Sequence, residues 1–390
     1  MTTTLVWNPL DPASIQDPYP IYAELRERCP VYWHEGMSSW VLTRYDDCQW
    51  VLRDHAAFAR DRRRAGAEIP DDKLNIQTQD PPEQALLRGV TARSLNSQRL
   101  QEICAEAREL MEHRLRGLAG AGPFDLMRDL AGPGAIHVIN NVFGVHAYTQ
   151  DSYAPIYRGL TQAMDSGLDP ERLAPGRAAG RALSEEVGGW FADGLGQDGL
   201  LGMVTGHADV PGLPTPYVVN TIAATYNAGF STLYASTGAI TLEVLRAGPA
   251  LLADLDPADP HVLTLAADEL MRFTSPAQAT ARVALEPVEL HGVRIEPKQT
   301  IVTMMAAANR DPRQFADPDR IVLDRAPNRH LAFAWGPHIC LGARLAMTWA
   351  AEVIAFLAEH GPRLRLAGQE EYMRAATLRN LVRLPLEYAG

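Results

Sequence analysis

The spacing of apolar residues along the chain predicts a mostly helical protein. Apolar side chains recur every three or four residues, as expected for helices that bury one face. These predicted helices cover residues 18–28, 45–52, 83–93, 98–118, 135–144, 150–165, 177–194, 216–246, 261–273 and 341–360. Short strands are predicted at 31–42 as a hairpin, at 283–289, 293–295 and 300–304, and after 360. Because strands and helices do not alternate regularly, the expected fold class is mostly α with small β-sheets.

Two long segments lack a periodic pattern and are predicted to be irregular. Residues 58–80 are polar and long enough to form a functional loop, and residues 306–339 are rich in Pro, Asp, Asn and Arg. The proline-rich stretch Pro211–Pro216 is interpreted as a lead-in to the next helix. Since no Gly/Ser linker and no internal repeat divides the chain, we expect a single domain over residues 1–390.

The longest predicted helix could be mistaken for a membrane span. No charged residue occurs from Tyr217 to Leu242, and the stretch is long enough to cross a bilayer. It nevertheless contains Asn220, Asn227 and five threonines, and such polar groups are costly in lipid. The pattern therefore predicts a helix buried in a large globular core, and no membrane association is expected.

Composition and charge narrow the class of protein. The 390 residues are 46% hydrophobic and 21% charged, which is sufficient for a large core. The formal net charge of -11 disfavours binding to nucleic acid, because phosphate backbones repel an acidic protein. The start of the chain has no signal-peptide pattern, and a cytoplasmic location is expected. The four cysteines form no CxxC pair, which argues against a zinc site or a disulfide framework: Cys29, Cys48, Cys104 and Cys340.

The strongest chemical signal is the segment from Phe333 to Ala346, which reads Phe-Ala-Trp-Gly-Pro-His-Ile-Cys-Leu-Gly-Ala-Arg-Leu-Ala. Cys340 lies just before a predicted helix, with Gly336 and Gly342 on either side. Glycines allow the backbone to fold tightly around the sulfur, and the N-terminus of a helix favours a thiolate. A lone cysteine is more often a small buried apolar residue, so the surrounding pattern carries the interpretation.

This segment resembles the haem-binding signature of the cytochrome P450 family at every position of Phe-x-x-Gly-x-His-x-Cys-x-Gly-x-x-Leu-Ala. The resemblance is to the soluble bacterial type, and it implies that Cys340 is the axial ligand of haem b (iron protoporphyrin IX). It also implies a triangular domain, with the haem between the long central helix and the Cys340 loop. Phe333, His338 and Gly342 are then expected to contact the cofactor.

Other positions match the family in the expected order. The pair Glu269 and Arg272 resembles the Glu-x-x-Arg pair of the core, and spacing i,i+3 on a helix permits an ion pair. Arg320 is the expected third member of that network, with Arg325 as its rival.

Cationic partners for the haem propionates follow from the same resemblance. Arg88, Arg282 and His338 occupy the corresponding motif positions. Gln84 stands where the family usually has a histidine, so that an uncharged amide replaces a basic group.

The long helix is similar to the family's oxygen-handling motif Ala-Gly-x-(Asp/Glu)-Thr. Here the segment Ala228–Thr232 has Ser231 where the acid usually stands, and a serine orders water but is no carboxylate proton donor. Ser231 and Thr232 are the candidate catalytic residues. Two further expectations are that Ala228 and Gly229 lie against the cofactor, and that the substrate pocket includes Phe230, Gln278 and Ala279.

The expected function is a haem-thiolate oxidase that oxidises a small organic substrate, by monooxygenation in natural-product metabolism. The first alternative function is radical oxidative coupling of the substrate without oxygen insertion. The second alternative is a haem-thiolate sensor without catalytic activity. The expected partners are a ferredoxin-type electron donor with its reductase, and the protein is expected to be a monomer. The sequence lacks the motifs of nucleotide-binding enzymes, serine hydrolases and zinc hydrolases.

Overall fold

The computed structural model describes residues 5–70, 73–206 and 215–389. Within these residues the chain is mostly helical, as the apolar spacing predicts, and the expected fold class is confirmed. The helices are α1 (Pro12–Gln16), α2 (Tyr19–Arg28), α3 (Tyr45–Arg53), α4 (Glu83–Asn96), α5 (Leu100–Leu118), α6 (Gly132–Phe143), α7 (Gln150–Ala163), α8 (Leu173–Ala192), α9 (Leu200–Gly206), α10 (Thr215–Ala247), α11 (Pro260–Thr274), α12 (Met305–Ala308) and α13 (Ala343–His360).

Twelve short strands of the described residues form small sheets. They are β1 (Val31–His34), β2 (Ser39–Leu42), β3 (Phe58–Ala59), β4 (Phe124–Asp125), β5 (Thr280–Ala284), β6 (Val288–Leu290), β7 (Val293–Ile295), β8 (Thr300–Thr303), β9 (Leu364–Leu366), β10 (Glu371–Tyr372), β11 (Leu381–Arg383) and β12 (Pro385–Tyr388). The largest sheet has the order β1-β2-β8-β5-β3, in which only β2 and β8 run parallel. A three-stranded sheet has the order β4-β12-β9, and two hairpins pair β6 with β7 and β10 with β11.

The differences from the sequence-based elements have local causes. The single strand predicted at 283–289 is divided into β5 and β6, which belong to different sheets. Helices α1, α9 and α12 have five, seven and four residues, which is too short to show a helical period. Within the predicted loop 58–80, the structure has β3 and a 3-10 turn at Arg62–Ala65. Most of the predicted lead-in Pro211–Pro216 lies outside the described residues.

The central helix α10 is buried despite its polar residues. It packs against α6, α8, α11 and α13 in the main hydrophobic core. Several of its threonine hydroxyls are satisfied within the helix, since Thr237 donates to the Leu233 carbonyl at 2.8 Å and Thr241 donates to the Thr237 carbonyl at 2.7 Å. The indole Nε1 of Trp349, in α13, donates to Thr237 Oγ1 at 2.9 Å. Within the described part of the chain, no helix has the length and apolarity needed to cross a membrane.

Candidate active site

A cavity lies between α10, α4, β5 and the loop that carries Cys340. Thr225, Ala228, Gly229 and Thr232 of α10 line it, at spacings of three, four and seven residues that place them on one face of the helix. Phe333, His338, Cys340 and Gly342 line the same cavity from the loop. The structure thus brings together the two segments that the sequence analysis selected.

The Cys340 loop is held by its backbone. Gly336 has a φ of +72°, and a Cβ at this position would lie 2.6 Å from the carbonyl oxygen of Leu52. Only glycine fits this close approach to the C-terminal end of α3 without displacement. The Cys340 amide donates to the Phe333 carbonyl at 2.8 Å, and Gly342 then begins α13 as its N-cap. The sulfur is therefore presented into the cavity at the start of a helix.

The surroundings of the Cys340 thiol have opposing effects. Burial raises the pKa of Cys340, because a thiolate is poorly solvated there, whereas the Gly342 amide and the Arg88 guanidinium lower it. A bound metal ion would remove the thiol proton outright. The amide and the cation are therefore suited to stabilise the thiolate that a metal-bound Cys340 would carry.

Three arginines line the cavity, of which the sequence analysis selected Arg88 and Arg282 but missed Arg60. Burial lowers the pKa of all three, in the case of Arg282 to about 9. The hydrogen bonds of their guanidinium groups within the described residues go to uncharged groups: Arg60 to Gln77 O, Thr280 Oγ1 and Ala281 O, Arg88 to Ile339 O, and Arg282 to Ala281 O and Thr280 Oγ1. Such a set of partly desolvated cations fits a dianionic ligand, and the two propionates of a haem meet that requirement.

Gln84 and His338 line the cavity but have protein partners for their N–H groups. Gln84 Nε2 lies 3.2 Å from both the Pro337 carbonyl and His338 Nδ1, and His338 Nε2 lies 2.8 Å from a carboxylate oxygen of Asp80. If Gln84 donates to Nδ1, the histidine proton is on Nε2 and is donated to Asp80. In this arrangement neither residue keeps a free N–H for a propionate.

Asp80 is a second residue that the sequence analysis missed. Its carboxylate accepts from the Arg60 and Asp61 amides, at 3.1 Å to its nearer oxygen in each case, and from Arg64 at 3.0 Å. Burial alone would raise the pKa of Asp80, but hydrogen bonds from His338, the Asp61 amide and Arg64 hold it below its usual range. Asp80 therefore links the 58–80 segment to the Cys340 loop as a permanent anion.

The core network around Glu269 uses Arg325 as its third charged member. Arg272 binds Glu269 with two hydrogen bonds of 2.7 and 2.8 Å, and both side chains are fully buried. Arg325 Nε donates to the same carboxylate at 3.0 Å, whereas the Arg320 side chain is 77% exposed and contributes only its carbonyl oxygen. The expectation for Arg320 is wrong, and the rival residue is correct. The buried carboxylate gains two cations and the Val322 amide, which offsets its desolvation.

Thr232 and Ser231 lie on different sides of α10. Thr232 lines the cavity, and its hydroxyl donates to the Ala228 carbonyl at 2.8 Å. Ser231 is 4% exposed, does not line the cavity, and has its hydroxyl 3.3 Å from the same carbonyl. We therefore correct the expectation that Ser231 acts directly on cavity contents. The described residues that line the cavity include no Asp or Glu.

Of the three predicted pocket residues, only Ala279 lines the cavity. Phe230 is 2% exposed and packs on the far side of α10, with its ring 4.9 Å from that of Tyr153. Gln278 is also buried, and its amide bonds the Ser275 carbonyl at 2.6 Å and the Tyr22 hydroxyl at 3.1 Å. The expectations for Phe230 and Gln278 are wrong, because both side chains point into packed protein.

Comparisons with known proteins agree with this geometry. A family model described as "Cytochrome P450" matches residues 257–357. The chain is 32% identical to the nocardicin C N-oxygenase of Nocardia uniformis subsp. tsuyamanensis, over 97% of each protein. It is 30% identical to the cytochrome P450 monooxygenase PikC of Streptomyces venezuelae, over 95% of this chain and 91% of PikC. The crystal structure of CalO2 matches with a TM-score of 0.85 and 26% identity, over 98% of this chain and 99% of CalO2.

Proposed function

Since the chain belongs to the cytochrome P450 family, we propose that it is a monooxygenase that acts on a small organic substrate in natural-product metabolism. As a member of that family it is an oxidoreductase with a haem-iron cofactor. The proposal is supported by its similarity to an N-oxygenase named for nocardicin C and to PikC. The observation that carries the proposal is that Cys340 and Thr232 line the same cavity.

The cofactor that the proposal requires is haem b. When bound, a thiolate-ligated haem supplies the activation of dioxygen. Cys340 would provide the thiolate, and Arg60, Arg88 and Arg282 would bind the propionates. The narrow backbone approach at Gly336 would keep the sulfur in position.

Proton delivery would depend on hydroxyls and water. Because no described lining residue is a carboxylate, Thr232 and Thr225 are the side chains of α10 that can hold water in hydrogen-bond reach of a ligand. Thr225 donates to the Thr221 carbonyl at 2.7 Å, so its oxygen can still accept a hydrogen bond from such a water. An acidic group of the substrate is the other possible proton source.

The electrons would come from a ferredoxin-type donor with a ferredoxin reductase, and the protein would act as a monomer. Two experiments test these steps of the proposal. Analytical ultracentrifugation should give a mass close to 42.8 kDa. A ferredoxin with its reductase should reduce the haem iron of this protein. If the same ferredoxin and reductase reduce free haem but leave the iron of this protein oxidised, the proposed electron donor is wrong.

The central test combines spectroscopy with oxygen labelling. Reduced, CO-bound protein should give a thiolate-type absorption spectrum, and Cys340→Ala should lose it, because no other described cysteine lines the cavity. Cys48→Ala is the matched control, since that thiol is buried outside the cavity. Turnover under 18O2 should then place one labelled oxygen atom in the product. A Cys340→Ala protein with an unchanged spectrum would contradict the assignment of the ligand.

Oxidative coupling is the second candidate function, and the absence of a lining carboxylate among the described residues is the observation that favours it. A dimeric or cross-linked product without labelled oxygen would support coupling over insertion. A thiolate spectrum with no turnover across a broad substrate panel would instead support a haem-thiolate sensor. The same labelled reaction therefore separates all three candidates.

A further inference from the structure

A group of potential metal ligands lies at the end of α13 that is remote from Cys340. His360 is the last residue of α13, Glu359 precedes it, and Glu112 belongs to the neighbouring helix α5. One ligand atom from each residue lies within 4.8 Å of the other two. Two carboxylates and an imidazole from two packed helices thus converge on one point.

His360 has an unsatisfied nitrogen in this group. The residue is 8% exposed, and its Nδ1 lies 3.1 Å from the hydroxyl of Tyr388 in β12. Within the described residues, the buried Nε2 atom has no hydrogen-bond partner, although the Glu359 carboxylate is 3.7 Å away. Phe356 packs on the ring at a centroid distance of 4.9 Å and limits its rotation. A buried imidazole nitrogen without a partner costs free energy, so a ligand at Nε2 would remove that cost.

The groups around His360 act on its pKa in both directions. Burial lowers its pKa, Glu359 and Glu112 raise it, and Arg363 and Arg116 lower it, with a net decrease. If Nδ1 carries the proton and donates it to the Tyr388 hydroxyl, the lone pair on Nε2 faces the carboxylates, which is how metal-binding histidines are usually oriented.

Charges of both signs surround this point, and the nearby arginines have other partners. Arg108 donates to Glu112 at 3.0 Å and to Glu352 at 2.8 Å, so it is shared and leaves part of the Glu112 carboxylate available. Arg363 lies over the ring of Tyr388 and donates to the Ala389 carbonyl. The C-terminal end of α13 adds partial negative charge, because its last carbonyls have no helical partner.

We propose that Glu112, Glu359 and His360 bind a divalent transition-metal cation, with Zn2+ as the best match. Imidazole nitrogens and carboxylate oxygens both bind Zn2+, and with three protein ligands water would take the fourth position. Mg2+ and Ca2+ prefer six or more oxygen ligands and are poorer matches. Ligand atoms around tetrahedral Zn2+ are about 3.3 Å apart. The group would therefore contract, which Glu359 permits because its side chain is 62% exposed.

The site would connect α5 to the end of α13 without touching the cavity. The 18 residues of α13 extend about 27 Å, and Cys340 lies before its first residue. Metal binding should therefore raise thermal stability and leave the haem absorption spectrum unchanged. This outcome distinguishes the site from metal bound near the cofactor.

The test is calorimetric titration of Zn2+ into tag-free holoenzyme, with Mg2+ as the comparison cation. We expect one Zn2+ per chain, at least tenfold weaker binding after His360→Gln or Glu359→Gln, and a smaller loss after Tyr388→Phe, which removes the group that orients the ring. Glu359→Gln changes an exposed side chain, so this variant keeps the test valid if the buried substitution prevents folding.

The matched control is His137→Gln. His137 is also a partly buried histidine whose Nε2 has no hydrogen-bond partner among the described residues, and Glu106 lies 3.6 Å away. It belongs to no group of three ligands within the described part of the chain. We expect this variant to bind Zn2+ like the wild type. Equal loss of binding in the control, unchanged binding after Glu359→Gln, or Mg2+ binding as tight as Zn2+ would each overturn the proposal.

Discussion

The central helix α10 has two faces of opposite character. On the cavity face, Thr225, Ala228, Gly229 and Thr232 offer small side chains and hydroxyls. On the far face, the Phe230 ring lies among tyrosines, with centroid distances of 4.9 Å to Tyr153, 5.3 Å to Tyr157 and 5.7 Å to Tyr234. The first face is suited to ligands, and the second fills space with aromatic rings.

The comparison shows that neighbouring residues of one sequence motif can lie on opposite faces of a helix. The five residues Ala228–Thr232 contribute to both faces, because each step along a helix rotates the side chain by about 100°. Gly229 and Thr232 point towards the cavity, whereas Phe230 and Ser231 do not line it. The replacement of the usual acid by Ser231 therefore changes a buried position of the helix, and its effect on proton delivery must be indirect.

Phe230→Ala should have the largest effect on stability. The ring is 2% exposed and packs against three tyrosines, so truncation should lower the free energy of unfolding by about 3–5 kcal/mol. Because the ring does not line the cavity, the CO-bound spectrum should not change. Guanidinium unfolding of the holoenzyme measures the loss, and Phe230→Leu should lose less. Stability within about 1 kcal/mol of the wild type would show that the far face is not packed as described.

Ser231→Asp should be costly without restoring acid catalysis. A carboxylate at this 4% exposed position should have a raised pKa, and its burial should cost about 3 kcal/mol at pH 8. The folded state then binds more protons than the unfolded state, so the penalty is smallest below about pH 4 and grows as pH rises. Unfolding measured from pH 5 to pH 8 tests this slope, with Ser231→Asn as a pH-independent control. A faster turnover without loss of stability would place residue 231 at the cavity.

Thr232→Ala should have the opposite pattern of effects from Ser231→Asp. It should lower the free energy of unfolding only slightly and should lower the product yield more strongly. Thr232 lines the cavity and its hydroxyl bonds the Ala228 carbonyl, so removal of the hydroxyl should lower the amount of product formed per electron consumed by about tenfold. The measurement compares the amount of product formed with the amounts of NAD(P)H consumed and hydrogen peroxide released, in a system reconstituted with the redox partners. Thr241→Ala is the control for loss of a buried helix hydroxyl, since that hydroxyl donates to the Thr237 carbonyl and the residue does not line the cavity. Equal product yields in wild type and Thr232→Ala would exclude a role for this hydroxyl.

Tyr157→Phe and Tyr153→Phe should show the smallest effects and should differ. The Tyr157 hydroxyl is buried and has no partner among the described residues, so its removal should be neutral or stabilising by up to about 1 kcal/mol. The Tyr153 hydroxyl donates to Asn227 Oδ1 at 3.0 Å, so its removal should cost about 1 kcal/mol. Thermal unfolding of both variants measures the difference. Equal costs would mean that the Tyr157 hydroxyl has a partner in solution.

The sequence predicts the helices and the Cys340 loop well because both depend on local patterns. Helix spacing permits the ion pair of Glu269 and Arg272, the family resemblance selects it, and the structure contains it. The choice between Arg320 and Arg325 could not be made, since they lie in an aperiodic segment whose path only the folded protein defines. Arg60 and Asp80 were missed for the same reason, as both belong to the aperiodic residues 58–80. The direction of Phe230 could have been found from the helical phase that Thr225, Gly229 and Thr232 define.

One contact of the central helix has a consequence for how the substrate range can change. A Cβ on Gly229 would lie 2.3 Å from the Cδ1 atom of Ile139, so α6 occupies the space that a side chain of α10 would fill. Ile139 also lines the cavity. Exchange of this one residue for valine or alanine would enlarge the chamber without altering the helix that carries Thr232. A change at this one position would thus alter the volume of the cavity while leaving Thr232 in place.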